Sequence, residues 1–427
     1  MRIFLILCLS EALFCSGIFG HSPKGEHHHA KDHHDDDDDD DDDAKASHLC
    51  TLCTDTSPLK RITPGNIKFA YRLYTHLATK YSNDNIFFSP VSISMIFSML
   101  SAGAKCQTKT EILEGLGFNT SSVSEQAIHG GFQQFIKILE ASKCDVELHT
   151  ANALIAHTYA RFLEKYLEKL EFYYHSNLLF TDFHNSEKAV NEINTYVARK
   201  TKDKIKNLLD RVDPDTVLLL VNTMYFKGVW EKSFETVEEE SDFHVDENTV
   251  IKVSMMRSKG TYRVAHDHKI GCTVVKIPYK GNVSAVLILP APGKLHNVER
   301  DLQKVSLLNL KPKKINLLVP KFSISPSLDL KEELREMGIV KVFTGDADLS
   351  GINGDHDLKV SMAIHKSVVI VNENGTEAAE VSAAGVILES SRKNPPLVAV
   401  KRPFLMTILD TFTGNILFAG RIMRPEN

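Results

Sequence analysis

Residues 373–403 read ENGTEAAEVSAAGVILESSRKNPPLVAVKRP, and the interpretation of the whole chain starts from this stretch. A β-rich run at 363–371 precedes it, and two more strand-like runs follow it at 404–409 and 416–421. The segment between these runs is rich in Ala, Ser, Gly, Glu and Pro and shows no helical periodicity. Long irregular loops inside a compact domain are uncommon and usually functional, so we predict a functional loop here.

The two halves of this loop differ in side-chain character. Residues 376–386 are mostly small and would fit into a sheet as readily as they would remain in water. Further along stand Leu388, Glu389, Arg392 and Lys393, which are residue types that proteases recognise. We therefore predict an exposed, sheet-compatible loop that serves as bait for a protease.

Length and composition indicate one large folded body. The chain has 427 residues, of which 43% are hydrophobic and 25% are charged, an ordinary balance for a globular protein. No Pro/Gly/Ser-rich linker interrupts residues 59–427, so we predict a single domain there, with its loop at about 373–400. The net charge of −5 owes much to one acidic run near the N-terminus. The body is thus nearly neutral, which argues against nucleic acid as a partner.

The start of the chain predicts secretion. Residues 1–20 combine a basic start, an apolar core and a small-residue exit, which is the pattern of a secretory signal peptide. No later segment has transmembrane length, so no membrane partner is expected. Sequons for N-glycosylation at Asn119, Asn282 and Asn374 agree with a secreted, extracellular glycoprotein.

Residues 21–58 form a His- and Asp-rich extension that we predict to be disordered, because nothing in it can bury apolar surface. It contains an unbroken run of aspartates at 35–43. Imidazoles suit Zn, Cu and Ni, and carboxylates suit Ca, so the tail is either a divalent-metal site or a solvated charged segment without a specific ligand. No cofactor is required in either case. The candidate metal ligands are His21, His27, His28, His29, His33 and His34.

Five cysteines remain beyond the signal peptide, namely Cys50, Cys53, Cys106, Cys144 and Cys272. This number is small for a secreted chain, so we expect the core to supply the stability. An isolated CxxC at 50 and 53 is weak support for zinc, and disulfides from this arm to Cys106 or Cys144 are at least as consistent with the sequence. The pairing stays open.

Helical patterns lead in the first half of the chain and strand patterns follow in the second. A helix is expected to begin at Thr63, with Pro64 in its first turn, and another after Ser89. A third should follow a capping box formed by Thr108 and Glu111. The interleaved order predicts an α+β fold with large mixed sheets.

Seven stretches then carry a specific resemblance. They are NIFFSPVSI at 85–93, EILEGL at 111–116, LVNTMYFKGVWEKSF at 220–234, KVFTGDADLSG at 341–351, AIHKSV at 363–368, GTEAA at 375–379 and RPF at 402–404. In this order they resemble the serpin family, in particular its antitrypsin-like (clade A) plasma members, over residues 63–427. The resemblance implies an α+β serpin fold with three β-sheets, about nine helices and an exposed reactive-centre loop near the C-terminus.

The resemblance also implies roles for single residues. Ser89, Ser92, Asn222 and His365 match the family's shutter, a polar network that holds two strands of the main sheet together and lets them part. The bland alternative for these residues is helix capping and a hydrogen-bonded core histidine, which is compatible with that role.

At the top of the same sheet, Trp230 matches the region that the family calls the breach, and Lys321 and Glu373 match a salt bridge there. The start of the loop matches the family's hinge. The hinge residues are Glu373, Asn374, Gly375, Thr376, Glu377, Ala378, Ala379 and Glu380.

The implied mechanism is suicide-substrate trapping of a serine protease by a monomer. The protease attacks the loop and forms an acyl-enzyme, and the cut loop then inserts into the main sheet. No residue of the inhibitor acts as an acid, base or nucleophile, and the chain lacks a Gly-X-Ser-X-Gly motif, so we expect no enzyme activity. Counting from the hinge places the reactive bond between Glu389 and Ser390. Counting back from residues 402–404 gives Arg392, and Leu388 and Lys393 remain alternatives.

Two features of the hinge sustain a second hypothesis, a non-inhibitory serpin that carries a metal or a small ligand outside the cell. Glu380 shares the strand parity of Thr376 and Ala378, so insertion would bury its carboxylate. A glycan on Asn374 could obstruct the hinge.

Control by a glycosaminoglycan is not favoured, because residues 126–139 offer only Lys137. The basic residues at 311–314 are expected to be a solvated face, and the acidic tail could instead dock on a protease.

Overall fold

A computed structural model of the chain describes residues 57–141, 146–176, 178–305, 309–375 and 395–425. The predicted signal peptide, the His/Asp-rich extension and residues 376–394 of the loop lie outside these ranges. Nine α-helices occur in the described ranges: α1 (Ser57–Lys80), α2 (Pro90–Ser101), α3 (Cys106–Gly115), α4 (Glu125–Ala141), α5 (Glu164–Tyr174), α6 (Ser186–Lys200), α7 (Leu295–Arg300), α8 (Leu330–Glu336) and α9 (Ser350–Asn353).

Fifteen strands complete the described structure. They are β1 (Ile86–Phe88), β2 (Val146–His157), β3 (Leu179–Thr181), β4 (Leu218–Gly228), β5 (Glu235–His244), β6 (Val250–Asp267), β7 (Cys272–Pro278), β8 (Val283–Pro290), β9 (Lys311–Pro320), β10 (Phe322–Ile324), β11 (Ser327–Asp329), β12 (Met362–Val371), β13 (Leu397–Ala399), β14 (Phe404–Asp410) and β15 (Ile416–Ile422). In the described ranges, no helix has both the length and the hydropathy needed to cross a bilayer.

Six strands form the main sheet, in the order β10-β12-β4-β2-β3 with β11 also paired to β12. Its central pairing joins β12 to β4 in parallel through eight consecutive residue pairs, from Met362 with Leu219 to Val369 with Phe226. We call this pairing the seam. The neighbouring pairs, β4 with β2 and β12 with β10 and β11, are antiparallel. The seam is therefore a parallel pairing between antiparallel neighbours.

The other nine strands form one continuous hydrogen-bonded assembly. The α+β class is confirmed. The prediction expected three sheets, but hydrogen bonding connects the strands of the described ranges into two. The reason is the 18-residue strand β6. Its first part pairs with β5, and its last part, from Arg263 to Asp267, pairs with β7. One strand thus joins two groups of strands that the prediction treated as separate.

Helix α2 connects the two sheets and carries polar groups to the seam. All twelve of its residues are buried, and it contacts β2 and β4 on one side and β15 on the other. As predicted, Ser89 caps its N-terminus, with Ser89 Oγ accepting a hydrogen bond from the Ser92 N–H at 3.3 Å. The cap fixes this end of the helix under the main sheet.

Two helix starts differ from the prediction. Helix α1 begins at Ser57 and continues through Pro64, because Leu59 and Ile62 in its first turns are buried in the core and favour an earlier start. Helix α3 begins at Cys106 without a side-chain cap. The expected capping box is wrong because Thr108 and Glu111 bond to distant main chain instead: Thr108 Oγ1 accepts from the Asp348 N–H, and Glu111 accepts from the N–H groups of residues 340 and 341.

Cys106, which is exposed, and Cys272, which is buried, are free thiols in the described ranges. Cys50, Cys53 and Cys144 lie outside those ranges. A disulfide from the N-terminal arm to Cys106 or Cys144 therefore stays a prediction.

Candidate functional site: the seam and its upper end

A buried polar network crosses the seam at its middle. His365 of β12 and Asn222 of β4 are register partners, and their side chains bond through His365 Nδ1 and Asn222 Oδ1 at 2.6 Å. The Ser89 N–H donates to His365 Nε2 at 3.1 Å. Ser92 Oγ donates to Asn222 Oδ1, and Asn222 Nδ2 donates to the Ser92 carbonyl, each at 3.0 Å. The four residues that the sequence grouped together thus meet, all with negligible exposure.

These contacts fix the protonation of His365. Its Nε2 accepts a hydrogen bond, so in the neutral ring the proton sits on Nδ1 and is donated to Asn222. A second proton on Nε2 would point at the Ser89 N–H donor. Burial accordingly lowers the pKa of His365 from 6.5 to about 3. The network therefore requires a neutral imidazole.

Acidification should weaken the fold through His365. Because the folded pKa lies below the unfolded one, the stabilisation is complete above pH 6.5 and is lost as the pH falls towards about 3. At ~1.4 kcal/mol per pH unit, about 2 kcal/mol should be lost between pH 6.5 and pH 5. Unfolding free energies measured at pH 7.5 and 5 should show this loss for the native chain. The His365→Gln variant has a neutral amide that does not titrate, so its unfolding free energy should fall by about 2 kcal/mol less than that of the unaltered protein between these pH values. An equal fall in both proteins would contradict the assigned protonation of His365.

Sequence reasoning missed one member of the network. Asn222 Nδ2 also donates to Asn152 Oδ1 at 2.5 Å, and Asn152 is the register partner of Asn222 on β2. The network therefore runs over three adjacent strands, β2, β4 and β12. The only signal in the sequence was a lone amide in the apolar run of β2, and the partner became visible only with the strand register.

The upper end of the seam is held by Trp230, which is buried and stacks on Tyr279 with ring centroids 4.1 Å apart. The indole Nε1–H donates to the Asn372 carbonyl at 2.9 Å, and the Trp230 main-chain N–H donates to the Asn374 carbonyl at 3.1 Å. Both acceptors belong to the segment that leaves β12. Trp230 thus fixes the chain where the predicted hinge begins.

The predicted ion pair is present at the same end. Lys321 Nζ lies 2.8 Å from Glu373 Oε1, and Thr236 Oγ1 donates to that oxygen at 2.7 Å. Partial burial of Glu373 opposes its ionisation, but the bonds from Lys321 and Thr236 outweigh this effect, and its carboxyl pKa lies below the ordinary value. The pair is partly exposed, so its main consequence is to position residue 373.

Gly375 closes this arrangement because no other residue fits there. Its φ is +131°, and a Cβ at this position would lie 2.0 Å from the Gly228 carbonyl oxygen and 2.7 Å from the Val229 Cα. Its main chain bridges Val229 and forms a tight turn with Asn372. Gly375 therefore lets the chain cross directly over the end of β4.

The remaining predicted positions divide into described and undescribed ones. Asn119 and Asn282 are exposed and Asn374 is half-buried. Lying outside the described ranges are Thr376, Glu377, Ala378, Ala379, Glu380, Leu388, Glu389, Ser390, Arg392, Lys393 and the histidines at 21, 27, 28, 29, 33 and 34.

One group of three potential metal ligands, His76, Glu333 and Glu336, does cluster in the described part of the chain. Lys80 Nζ lies 3.3 Å from Glu333 and 3.0 Å from Glu336, so a cation of the chain already sits beside both carboxylates. This group ties α1 to α8.

A second buried network escaped the sequence interpretation. Arg421 is fully buried, and its Nη1 donates to Glu299 Oε1 at 2.7 Å, an oxygen that also accepts from the Tyr74 hydroxyl at 2.9 Å. Arg421 Nη2 donates to the carbonyl oxygens of Tyr81 and Asp84. The network fastens β15 to α1 and lies away from the seam, so its role is structural.

Comparison with known proteins agrees with this architecture. The family described as serpin (serine protease inhibitor) matches residues 64–425. An alpha-1-antitrypsin-like protein of Ictidomys tridecemlineatus is 41% identical over 370 residues, which are 86% of this chain and 89% of the relative. Alpha-1-antitrypsin of Sus scrofa is 41% identical over 371 residues, 86% and 87% of the two chains.

Solved structures of two relatives share the fold. Human thyroxine-binding globulin superposes with a TM-score of 0.81 at 37% identity, over 87% of this chain and all of that one. Human kallistatin superposes with a TM-score of 0.78 at 35% identity and the same coverage. A family match over most of the chain, together with these relatives, means that the protein is a member of the serpin family.

Proposed function

We propose that the protein is a secreted inhibitor that traps a serine protease by inserting its cleaved reactive loop into the main sheet. The single observation that supports this most strongly is the seam. It is a parallel pair, β4 and β12, and the loop continues from the C-terminal end of β12.

The strand directions explain why this pair suits insertion. A segment that turns back after β12 and runs down between the two strands would be antiparallel to both. It would exchange one parallel ladder for two antiparallel ladders and add a full set of hydrogen bonds. The segment beyond Gly375 is longer than the eight residue pairs of the seam, so it has enough length to fill it.

The contacts at the upper end hold the loop at the mouth of the seam before cleavage. Trp230, Lys321 and Gly375 fix residues 372–375 directly above the end of β4. Below them, the Asn222–His365 pair keeps the seam closed. Insertion has to break these polar contacts, so the network contributes to the barrier that opposes insertion.

A panel of serine proteases tests this proposal. The secreted protein would be incubated with trypsin-like, chymotrypsin-like, elastase-like and Glu-specific enzymes and run on a denaturing gel. A denaturant-resistant band at the summed mass is expected with one of them, and the released C-terminal peptide would identify the bond that we propose, Glu389–Ser390, or one at Leu388, Arg392 or Lys393. Cleavage by every enzyme without a complex would overturn the proposal.

Glu380 should limit the efficiency of the inhibitor. On insertion its carboxylate would face inward, and an unpaired buried carboxylate costs several kcal/mol or must take up a proton. We expect Glu380→Ala to lower the number of inhibitor molecules consumed per protease molecule trapped, because faster insertion leaves less time for deacylation. The measurement is a titration of residual protease activity.

Glu377→Ala provides the matched control, since residue 377 has the opposite strand parity and its carboxylate would face outward. An equal effect of both substitutions would show that only loop charge matters. No effect of either would mean that burial of residue 380 is not part of the trapping step.

A second candidate function is carriage of a small ligand, favoured by the similarity to human thyroxine-binding globulin. An apolar cavity lies between α1, β8 and β14, lined by Tyr74, Val286 and Leu405 among others. Its volume is about 40 Å³. Pockets for drug-sized ligands hold about 300–1,000 Å³, so such a ligand would have to open this one. Equilibrium dialysis with thyroxine tests this candidate, and the absence of saturable binding would remove it for that ligand.

Metal carriage would reside in the N-terminal histidines. The full chain and a variant with alanine at His27, His28 and His29 would each be titrated with Zn²⁺ or Ni²⁺ and assayed for protease trapping. The comparison separates metal carriage from inhibition. Loss of metal binding with unchanged trapping of protease is the expected result if both activities exist independently.

A further inference from the structure

A cleft beside α1 is lined by positive charges that no acidic wall residue balances among the residues that the structure describes. It lies between residues 60–72 of α1 and the connection from α3 to α4, and its volume is about 510 Å³. Lys60, Arg61, Lys68 and Arg72 line it, and no acidic residue of the described chain does.

Salt bridges do not compensate these cations. Lys60, Arg61 and Lys68 are exposed, and none of the four forms an ion pair with a carboxylate in the described ranges. Arg72 is half-buried, with Nη1 and Nη2 donating to the carbonyl oxygens of Gly115 and Met337, each at 3.0 Å. Those carbonyls hold the guanidinium in place without cancelling its charge.

The helix itself makes this arrangement unfavourable in isolation. The first turn of α1 contains no acidic residue, and Lys60 and Arg61 lie close to the positive end of the helix dipole. Cations are destabilising at that end and anions are stabilising. An anion bound in the cleft would offset the unfavourable interaction between these cations and the helix dipole.

The chain contains a matching polyanion. Residues 35–43 are nine consecutive aspartates, and they stand a short tether before the first residue of α1. The tether, residues 44–56, can extend by about 3.3–3.6 Å per residue. The cleft begins within the first turn of α1, so the run can reach it. Because the run is tethered to the same chain, its effective concentration at the cleft is high.

We propose that the aspartate run at 35–43 binds intramolecularly in the cleft lined by Lys60, Arg61, Lys68 and Arg72. The binding accounts for two features that protease trapping leaves unused, the acidic run and the uncompensated cations. It is independent of the proposed inhibition. It also means that a competing polyanion would release the tail.

Zero-length carbodiimide cross-linking of the full chain, followed by mass spectrometry, tests the proposal. Such a reagent joins a carboxylate to an amine only where the two are in contact. We expect cross-links from residues 35–43 to Lys60 and Lys68 within single molecules, as judged by mixing isotope-labelled and unlabelled protein. They should disappear at high salt, because the screening length falls from about 10 Å at 0.1 M to about 3 Å at 1 M.

A second exposed basic cluster serves as the control for this experiment. It is formed by Lys311 and Lys313 on β9. Arg61→Glu should lower the yield of the cross-link to Lys68 about fivefold, the upper range for one exposed ion pair. Lys313→Glu should leave that yield unchanged. Equal cross-linking to Lys68 and Lys313, cross-links only between molecules, or no effect of Arg61→Glu would each overturn the proposal.

Discussion

Replacing Asn222 by alanine is expected to lower the free energy of unfolding by about 4 kcal/mol, because each buried polar group left without a partner costs ~1–3 kcal/mol. The Asn222 side chain bonds to His365 Nδ1, Ser92 Oγ, the Ser92 carbonyl and Asn152 Oδ1. The substitution leaves the fully buried His365 Nδ1–H group without its acceptor. The single proton of the Ser92 hydroxyl, no longer donated to Asn222, is left with the Ser89 carbonyl at 3.2 Å as its acceptor.

The expected loss should appear in equilibrium unfolding by urea, and the damage should concentrate at the seam. With the central pair gone, β4 and β12 should part more readily and admit a synthetic peptide with the sequence of residues 376–386. Native gels would detect that complex in Asn222→Ala at peptide concentrations that leave the unaltered protein free.

Asn152→Ala is the matched control. Asn152 is half-buried and bonds to the same amide, but it lies on β2, outside the seam. Its removal should cost about 1 kcal/mol, the usual net contribution of one hydrogen bond, and should not promote peptide uptake. Equal losses for the two variants would show that the network stabilises the sheet as a whole and does not control the seam.

The second large effect is expected for Gly375→Ala. The added Cβ would stand 2.0 Å from the Gly228 carbonyl oxygen, so one of the two backbones has to move. Together with a φ of +131°, this should cost about 3 kcal/mol. We expect the turn at 372–375 to detach from Trp230 while the rest of the fold stays intact, because the turn packs against the end of β4 and not within the core.

Trp230 reports this detachment directly, since it is the only tryptophan of the chain. Loss of the bonds from Trp230 to Asn372 and Asn374 should shift its fluorescence emission to the red and raise its quenching by iodide. Gly281→Ala is the control that separates backbone strain at a positive φ from the steric clash of the added Cβ. Gly281 also has a positive φ, +82°, but a Cβ there would meet nothing within 4 Å. Unchanged emission in Gly375→Ala would contradict the proposed clamp.

Much of the fold followed from local sequence. The Ser89-Pro90 start of α2 and the β-rich runs at 363–371, 404–409 and 416–421 are local patterns, and the structure has α2, β12, β14 and β15 close to the predicted positions. The residues assigned to a shutter and a breach came from a family resemblance that motifs in the same stretches carry. The predictions of these helices and strands succeeded because a cap or a strand pattern is determined by residues close together in the chain.

The failures share the opposite property. Thr108 and Glu111 have the spacing of a capping box, yet their side chains bond to main chain more than two hundred residues away. Helix α1 starts early because the core takes up Leu59 and Ile62. In each case a contact with a distant part of the chain outweighed the local structural preference, and such a contact cannot be predicted from the neighbouring residues.

By itself, the sequence determined the family, the strands of the seam and the polar residues at its centre. Only the tertiary structure decided that Asn152 joins those residues and that Gly375 crosses over the end of β4. It alone also showed that four cations between residues 60 and 72 of α1 line a cleft to which no acidic residue of the described chain contributes. The physical reason is that strand register, backbone approach and charge balance depend on pairs of residues far apart in the chain, and these pairs exist only after the chain has folded.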